Sequence, residues 1–397
     1  MARINNKWIR GALPALLIHL SIGSVYAWSL FVEPIANHIG VQQPSVQFAF
    51  SLAIFFLGMS AAFGSKIVEN NIHKSSLISC IFFCTGLLLT GCAIVLKSLL
   101  LIYIGYGCIM GIGLGIGYIT PVKTLMLWFK EQKGFATGIA VCAFGFASTV
   151  ASPIITFLLA RYNLETCFII LAGIYFLPMF VAHLLIKKPE WYKEANNEID
   201  FSIKKTVLNP HFILIWLIFF LNISAGLSLI SVASPMLKSL NITPKTIAII
   251  VSVMGTFNGV GRLVFSAISD KIKNRCTIYV AISGLAYIIS GFAQTKSDNI
   301  LVSIALIIVS ACYGAGFSCL PSLLSDIFGM QNISKIHGIT LTAWAVAGLI
   351  GNQISSFVFE EHQSYLPVFS VLIIIYMAQL LLSFILKGTT KTNKHLR

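Results

Sequence analysis

Between positions 258 and 275 the chain reads NGVGRLVFSAISDKIKNR, and Arg262 stands there among glycine, leucine, valine and phenylalanine. A guanidinium does not lose its proton in a protein, so this is a permanent cation in a stretch otherwise suited to hydrocarbon. Insertion scales put the cost of such a charge at about 2.5–3.5 kcal/mol, and a buried cation normally finds an anion. The thirteen acids are Glu33, Glu69, Glu131, Glu165, Glu190, Glu194, Glu198, Asp200, Asp270, Asp298, Asp326, Glu360 and Glu361. Each lies in a loop or at the end of an apolar run. Asp270, the nearest in sequence, is about 12 Å away along a helix. The simplest partner left for Arg262 is an anionic substrate. Two other readings stay open: the side chain snorkels to the membrane surface, or it pairs across helices with an acid at a span end. Asn258, four residues earlier on the same helical face, is placed to hold the guanidinium or a ligand, or to serve as a packing amide.

The other residues able to do chemistry at membrane depth are few. Lys123, in GYITPVKTLMLWF, is the second cation inside an apolar run. It lies five residues before Trp128, which favours snorkelling, and about 140° around the helix from Tyr118. As a second substrate cation it would admit a dicarboxylate. His19, Gly23 and Tyr26 share helical spacing in HLSIGSVYAWSLFVEP, and Tyr313 and Phe317 sit at i and i+4 in CYGAGFSCLP. With Tyr118 and Trp344 they would wall an apolar pocket for a small planar anion. His19 titrates near neutrality when unperturbed, which makes it the candidate proton relay beside such a pocket or, alternatively, a packing histidine.

Composition identifies the medium that must hold these residues. Of 397 residues, 57% are hydrophobic and 10% charged, where soluble domains carry about a quarter charged; mean hydropathy is +0.88. Twelve apolar runs are long enough to span a bilayer: roughly 11–32, 46–66, 75–96, 98–120, 136–160, 164–186, 211–236, 246–268, 276–294, 299–325, 338–359 and 365–386. Membrane-barrel strands would alternate and be about half as long. The fold class expected is an all-α polytopic membrane protein. The net charge of +14 does not mark a nucleic-acid binder, because 20 of the 27 Lys and Arg fall on the side of both termini and five on the other. That asymmetry is the positive-inside rule, and it puts both termini in the cytoplasm. The basic residues Arg3, Lys7 and Arg10 precede a run too long for a signal peptide. The nine cysteines form no CxxC pair, and neither a metal nor a cofactor is implied. GIGLGIG lacks the spacing of a nucleotide loop and lies inside a span.

The longest polar stretch, 187–210, divides the chain into 1–186 and 211–397. At an offset of about 200 residues Pro34 meets Pro235, Ser65 meets Ser266, Glu69 meets Asp270, Pro121 meets Pro321 and Gly138 meets Gly338. Stripes such as Gly107, Gly111 and Gly115 let helices approach closely. Two pseudo-symmetric six-helix halves with a central loop resemble the major facilitator superfamily. The SDKIKNR segment is similar to its loop motif, with Asp270, Lys271 and Arg275 as the conformational-gate residues the resemblance implies. The first-half copy, SKIVENNIHK at 65–74, is degenerate. The resemblance also implies substrate binding near the midplane, between the halves.

GSVYAWSLFVEP, GIGLGIGYITPV and TAWAVAGLIG resemble, more narrowly, the oxalate/formate antiporter family, whose members move small carboxylates. That resemblance implies that Arg262 binds a carboxylate and that Tyr26, Tyr118, Tyr313 and Phe317 wall the cavity. The chain departs from the family's oxalate carrier in span eleven, where Trp344 replaces a lysine. One cation suits a monocarboxylate such as pyruvate, lactate or formate; a dicarboxylate wants two. The expectation is a monomeric secondary transporter in a bacterial inner membrane, coupled to a proton or to an exchanged anion. A dicarboxylate antiporter and a non-transporting carboxylate sensor are the alternatives. No nucleophile–base pair points to an enzyme.

Overall fold

The computed structural model describes residues 6–129, 133–190, 203–296, 298–328 and 333–394. Among the described residues every regular element is helical. Twelve helices are long and apolar enough to cross a membrane: α1 Trp8–Ala27, α2 Gln43–Ser65, α3 Ile72–Val95, α4 Leu99–Trp128, α5 Gly138–Leu159, α6 Leu164–Leu185, α7 Pro210–Ile230, α8 Pro244–Lys271, α9 Cys276–Thr295, α10 Asn299–Phe328, α11 Lys335–His362 and α12 Val368–Thr390. They correspond one to one with the hydropathy runs, and α4 and α10 reach further towards the side of the termini than those runs do. Of the polar stretch 187–210, residues 191–202 lie outside the described residues, and Ile203–Val207 forms a short helix.

Local sequence explains where the helices begin. The side chains of Asn71, Asn163 and Thr243 accept from the backbone N–H groups of Lys74, Thr166 and Thr246. Each satisfies one orphan donor of a first turn. Pro210 and Pro244 occupy first-turn positions, where a missing N–H costs nothing. The first helix of each half is interrupted at a related place. A tight 3-10 turn over Gly23–Ala27 ends α1, and the chain continues as Ser29–Ile39 through Pro34. After α7 it bends at Ser231 and continues as Ala233–Ser239 through Pro235. Lys238 of the second extension donates to Glu33 of the first, an ion pair that joins the halves on the side away from the termini.

Burial separates central from peripheral helices. Helices α6 and α12 are 33% buried in their most apolar windows, against 67% for α5 and α7. The halves meet along two seams, α5 against α8 and α2 against α11. Both seams depend on missing side chains. A Cβ on Gly145 would stand 2.7 Å from the Gly259 Cα, and one on Gly58 would stand 2.6 Å from the Ala345 nitrogen. Neither distance is compatible with real packing.

Overpacking a tight helix seam costs about 1–3 kcal/mol. Gly145→Val should therefore lower the melting temperature of the purified protein in detergent. Gly173→Val, on a face of α6 where a Cβ meets nothing within 4 Å, should leave it nearly unchanged. Equal melting temperatures for the two variants would remove Gly145 from the seam.

Candidate functional site

Where the two seams converge, six helices deliver buried side chains to one chamber: α1, α4 and α5 from the first half and α8, α10 and α11 from the second. Arg262 on α8 is 0% exposed. Asn258, one turn earlier, accepts from its Nε at 3.0 Å. The guanidinium carbon lies 4.8 Å from the centre of the Phe317 ring and 5.6 Å from that of Phe144. Nη1 and Nη2 are buried and have no hydrogen-bond partner. The Tyr26 and Tyr118 hydroxyls lie near the guanidinium, without the geometry of a hydrogen bond to either nitrogen. Face contacts contribute about 0.5–2 kcal/mol each. An unmade hydrogen bond of a buried polar group costs about 1–3 kcal/mol, more when the group is charged. The cage therefore compensates the charge only in part, and two adjacent donors of one planar fork are the uncompensated part.

The rest of the chamber is aromatic. The Tyr26 and Tyr313 hydroxyls bond to each other at 2.6 Å across the halves. Trp344 packs edge-on to Phe317 (4.5 Å), Tyr118 (5.1 Å) and Phe144 (5.9 Å). Its indole nitrogen is also buried and unpartnered. Tyr313 is seated by two residues of α7: Asn222 donates to its carbonyl at 3.4 Å, and Gly226 leaves room for its ring, since a Cβ there would stand 2.8 Å from Tyr313 Cγ. Beside Tyr26 and Asn258 only about 10 Å³ is open, no more than one water requires. The chamber is in a closed form.

His19 adjoins this chamber. Its ring stacks on Tyr118 (5.4 Å) and meets Phe144 edge-on (6.0 Å). Nδ1 faces the Ala140 carbonyl on α5 and Nε2 faces the Tyr118 carbonyl on α4, the latter at 3.0 Å. A neutral imidazole donates to one of these; a protonated ring donates to both.

Of the residues singled out in the sequence, Arg262, Asn258, Tyr26, Tyr118, Tyr313, Phe317 and Trp344 come together, with His19 alongside. Lys123 does not join them. It lines a separate cavity of about 50 Å³ with Ser65, Val122, Pro321 and His337. Asp270 and Arg275 lie at the terminal side of α8. Arg275 bridges Asp270 (3.2 Å) and Asp326 at the end of α10 (3.3 Å), while Lys271 is exposed. Sequence reasoning missed Phe144, which touches His19, Tyr26, Tyr118, Trp344 and Arg262. Its signal was indirect. Gly145 is the residue at which α5 meets Gly259, one turn from Arg262, so its neighbour Phe144 is carried to the same level.

Twelve spanning helices arranged as two halves about a buried cation define an integral, multi-pass membrane protein of the carrier type. Residues 15–352 match the model of the Major Facilitator Superfamily, and the chain belongs to that family of transporters. The chain is 26% identical to YhjX, an uncharacterized MFS-type transporter of Escherichia coli (strain K12), over 86% of both lengths. It is also 26% identical to the oxalate:formate antiporter of Oxalobacter formigenes, over 88% of this chain and 84% of that protein. The crystal structure of a D-xylose–proton symporter superposes with a TM-score of 0.72, covering 94% of this chain and 96% of that one. At 14% identity that likeness is one of fold.

Because Phe144 is the common neighbour of five chamber residues, Phe144→Ala should cost about 3–5 kcal/mol of stability. Thermal unfolding in detergent reads this. A change as small as that of a lipid-facing control, Phe176→Ala, would show that Phe144 does not organise the chamber.

Proposed function

We propose that the protein is a secondary active transporter of small organic monocarboxylates, of the pyruvate, lactate or formate type, with Arg262 receiving the carboxylate. One observation carries this reading. Asn258 fixes Nε, while Nη1 and Nη2 are buried together and unpartnered. A carboxylate accepting from both in parallel completes the fork, and it brings the negative charge that no acid supplies among the described residues. Aromatic walls favour a small planar anion over a hydrated one.

The count of cations supports a single carboxylate. Lys123 belongs to the other cavity, and Trp344 offers a neutral N–H. A dicarboxylate antiporter would need a second positive charge in the chamber, and a carboxylate sensor would have no need of two seams on which halves can rock. The excess of Lys and Arg on one side supports cytoplasmic termini in a bacterial inner membrane, and a monomer suffices because one chain supplies both halves of the chamber.

The test is counterflow uptake of labelled pyruvate, lactate, formate and oxalate into proteoliposomes. Removing one partner of a buried charged pair costs about 2–5 kcal/mol, so Arg262→Gln should reduce monocarboxylate uptake about a hundredfold or more. Asn258→Asp should be as damaging for the opposite reason, since it supplies the guanidinium with a carboxylate of its own. Undiminished uptake by Arg262→Gln would leave the arginine structural. Oxalate as the preferred substrate would overturn the one-carboxylate reading.

A further inference from the structure

The chamber has a side pocket. The bond from Arg262 Nε to Asn258 turns the guanidinium back towards the start of α8, the direction in which helical side chains lean. On that side lies the space of about 10 Å³ beside Tyr26 and Asn258. These two residues serve both places: Asn258 holds the guanidinium, and the Tyr26 hydroxyl lies near it. Further back along α8 the pocket is lined by Gly255, Met254 and Val251. They precede Asn258 by three, four and seven residues, the spacing of one helical face. Ser148 of α5 and Ser310 of α10 also line it, and none of its lining residues is charged. Gly255 makes room for one of these serines, since a Cβ there would collide with the Ser148 hydroxyl.

The polar groups of the pocket have assigned roles. An Nε–H only donates, so the Asn258 oxygen is the atom that meets Arg262. What Asn258 can offer the pocket is therefore its NH2 group, a donor. Ser310 gives its proton to the Leu306 carbonyl at 2.8 Å, so it offers lone pairs alone. The Ser148 hydroxyl can act either way. One water-sized space is thus lined by a donor and a committed acceptor, and a hydroxyl group satisfies both at once. A keto oxygen would accept from Asn258 but set its lone pairs against those of Ser310. A hydrogen or a methyl group would satisfy neither, and a site built to hydrogen-bond a hydroxyl discriminates against analogues that lack it.

We propose that this pocket is the subsite for the 2-hydroxyl of a small 2-hydroxy monocarboxylate, of which glycolate and lactate are the simplest. The inference rests on the reading of Arg262 as the carboxylate anchor and narrows it. With the carboxylate on the Nη pair, the hydroxyl accepts from Asn258 Nδ2 and donates to Ser310 Oγ, with Ser148 alongside. In such an acid the hydroxyl is borne by the carbon next to the carboxylate. In the protein the group that reads it is hydrogen-bonded directly to the guanidinium, so the two recognised groups and the two recognising groups are adjacent alike. The space admits a hydroxyl and no longer chain. It also draws on both halves, with Tyr26 and Ser148 from the first and Asn258 and Ser310 from the second, so the hydroxyl is enclosed only while the halves meet at this level.

The experiment uses the full chain purified in detergent, with competition saturation-transfer NMR as the readout. Wild type should bind glycolate about tenfold more tightly than acetate, and lactate about tenfold more tightly than propionate or pyruvate, as two neutral hydrogen bonds allow. Ser310→Ala removes the acceptor and should bring the glycolate–acetate ratio below about threefold. Gly255→Ala fills the pocket and should abolish the preference by a different route; melting temperatures show that each variant is folded. Equal binding of glycolate and acetate by wild type, with both lost in Arg262→Gln, would keep the carboxylate anchor and remove the subsite. A preference that survives both pocket variants would overturn it as well. Pyruvate bound as tightly as lactate would overturn the pairing of donor and acceptor. Binding of none of these acids, or binding that Arg262→Gln leaves unchanged, would overturn the anchor and the subsite with it.

Discussion

The structure is organised around a charge that cannot be neutralised in place. A lysine, histidine or acid at the level of Arg262 could meet a low-dielectric surrounding by changing protonation state; a guanidinium cannot. Its surroundings must therefore supply charge compensation, and the protein supplies part of it. Asn258 accepts a hydrogen bond from Nε from the preceding turn of the same helix, so that bond is made at no cost in tertiary arrangement. Phe317 and Phe144 offer ring faces from opposite halves. The Nη pair is left over, and everything else at this level either encloses it or seats a residue that does. Asn222 and Gly226 act two steps away, on Tyr313.

The same constraint explains why the site lies where the halves meet rather than inside one of them. A guanidinium buried within a single six-helix half would be fixed to that half's own groups. At the interface its environment is the sum of two surfaces, and that sum changes when the surfaces separate. Two of the contacts that hold the halves together are weak. The Tyr26–Tyr313 bond is a neutral hydrogen bond, with a net value of about 0.5–1.5 kcal/mol. The Lys238–Glu33 pair is partly exposed, with side chains 55% and 29% accessible, and such pairs contribute about 0–1 kcal/mol. The seams pair glycine with backbone and with side chains of the facing helix: the Phe146 ring packs over Gly259, and Thr149 donates to the Ser252 carbonyl and bonds to the Thr256 hydroxyl, both at 2.9 Å. Other ties lie within one half. Arg275 joins α8 to α10 through Asp270 and Asp326, and Tyr279 donates to the Gly316 carbonyl at 2.7 Å.

Much of this was legible in the sequence because the membrane simplifies it. Long apolar runs admit one secondary structure, so the twelve helices could be read off, and a charge among them could not be overlooked. The aromatic residues of the chamber were legible where they sat at helical spacing beside glycine or proline, as with Tyr26, Tyr313 and Phe317. Phe144 was not, because one phenylalanine in a helix that also carries Phe146 and Phe157 has nothing to distinguish it until the seam fixes which face points inward. Lys123 illustrates the opposite limit. Its angle from Tyr118 excluded it from that tyrosine's face, and its five-residue distance from Trp128 favoured the surface. Neither fact could reveal a cavity closed by α2, α10 and α11, because that space exists only once helices distant in sequence are assembled. Asp326 was counted among span-end acids, and its pairing with Arg275 likewise needed the packing of α10 against α8.

The aromatic layer gives the arrangement its economy. Tyr118 and Phe144 belong to the first half and Trp344 to the second, as do Tyr26 and Tyr313 respectively, so three ring contacts cross the interface at the level of the chamber. On this geometry the side chains that enclose the guanidinium are the same ones that close the interface between the halves at its level. Holding the arginine in this enclosed setting is costly while its two Nη groups stay buried without partners, since a buried charged group with unmade hydrogen bonds loses its hydration without replacement.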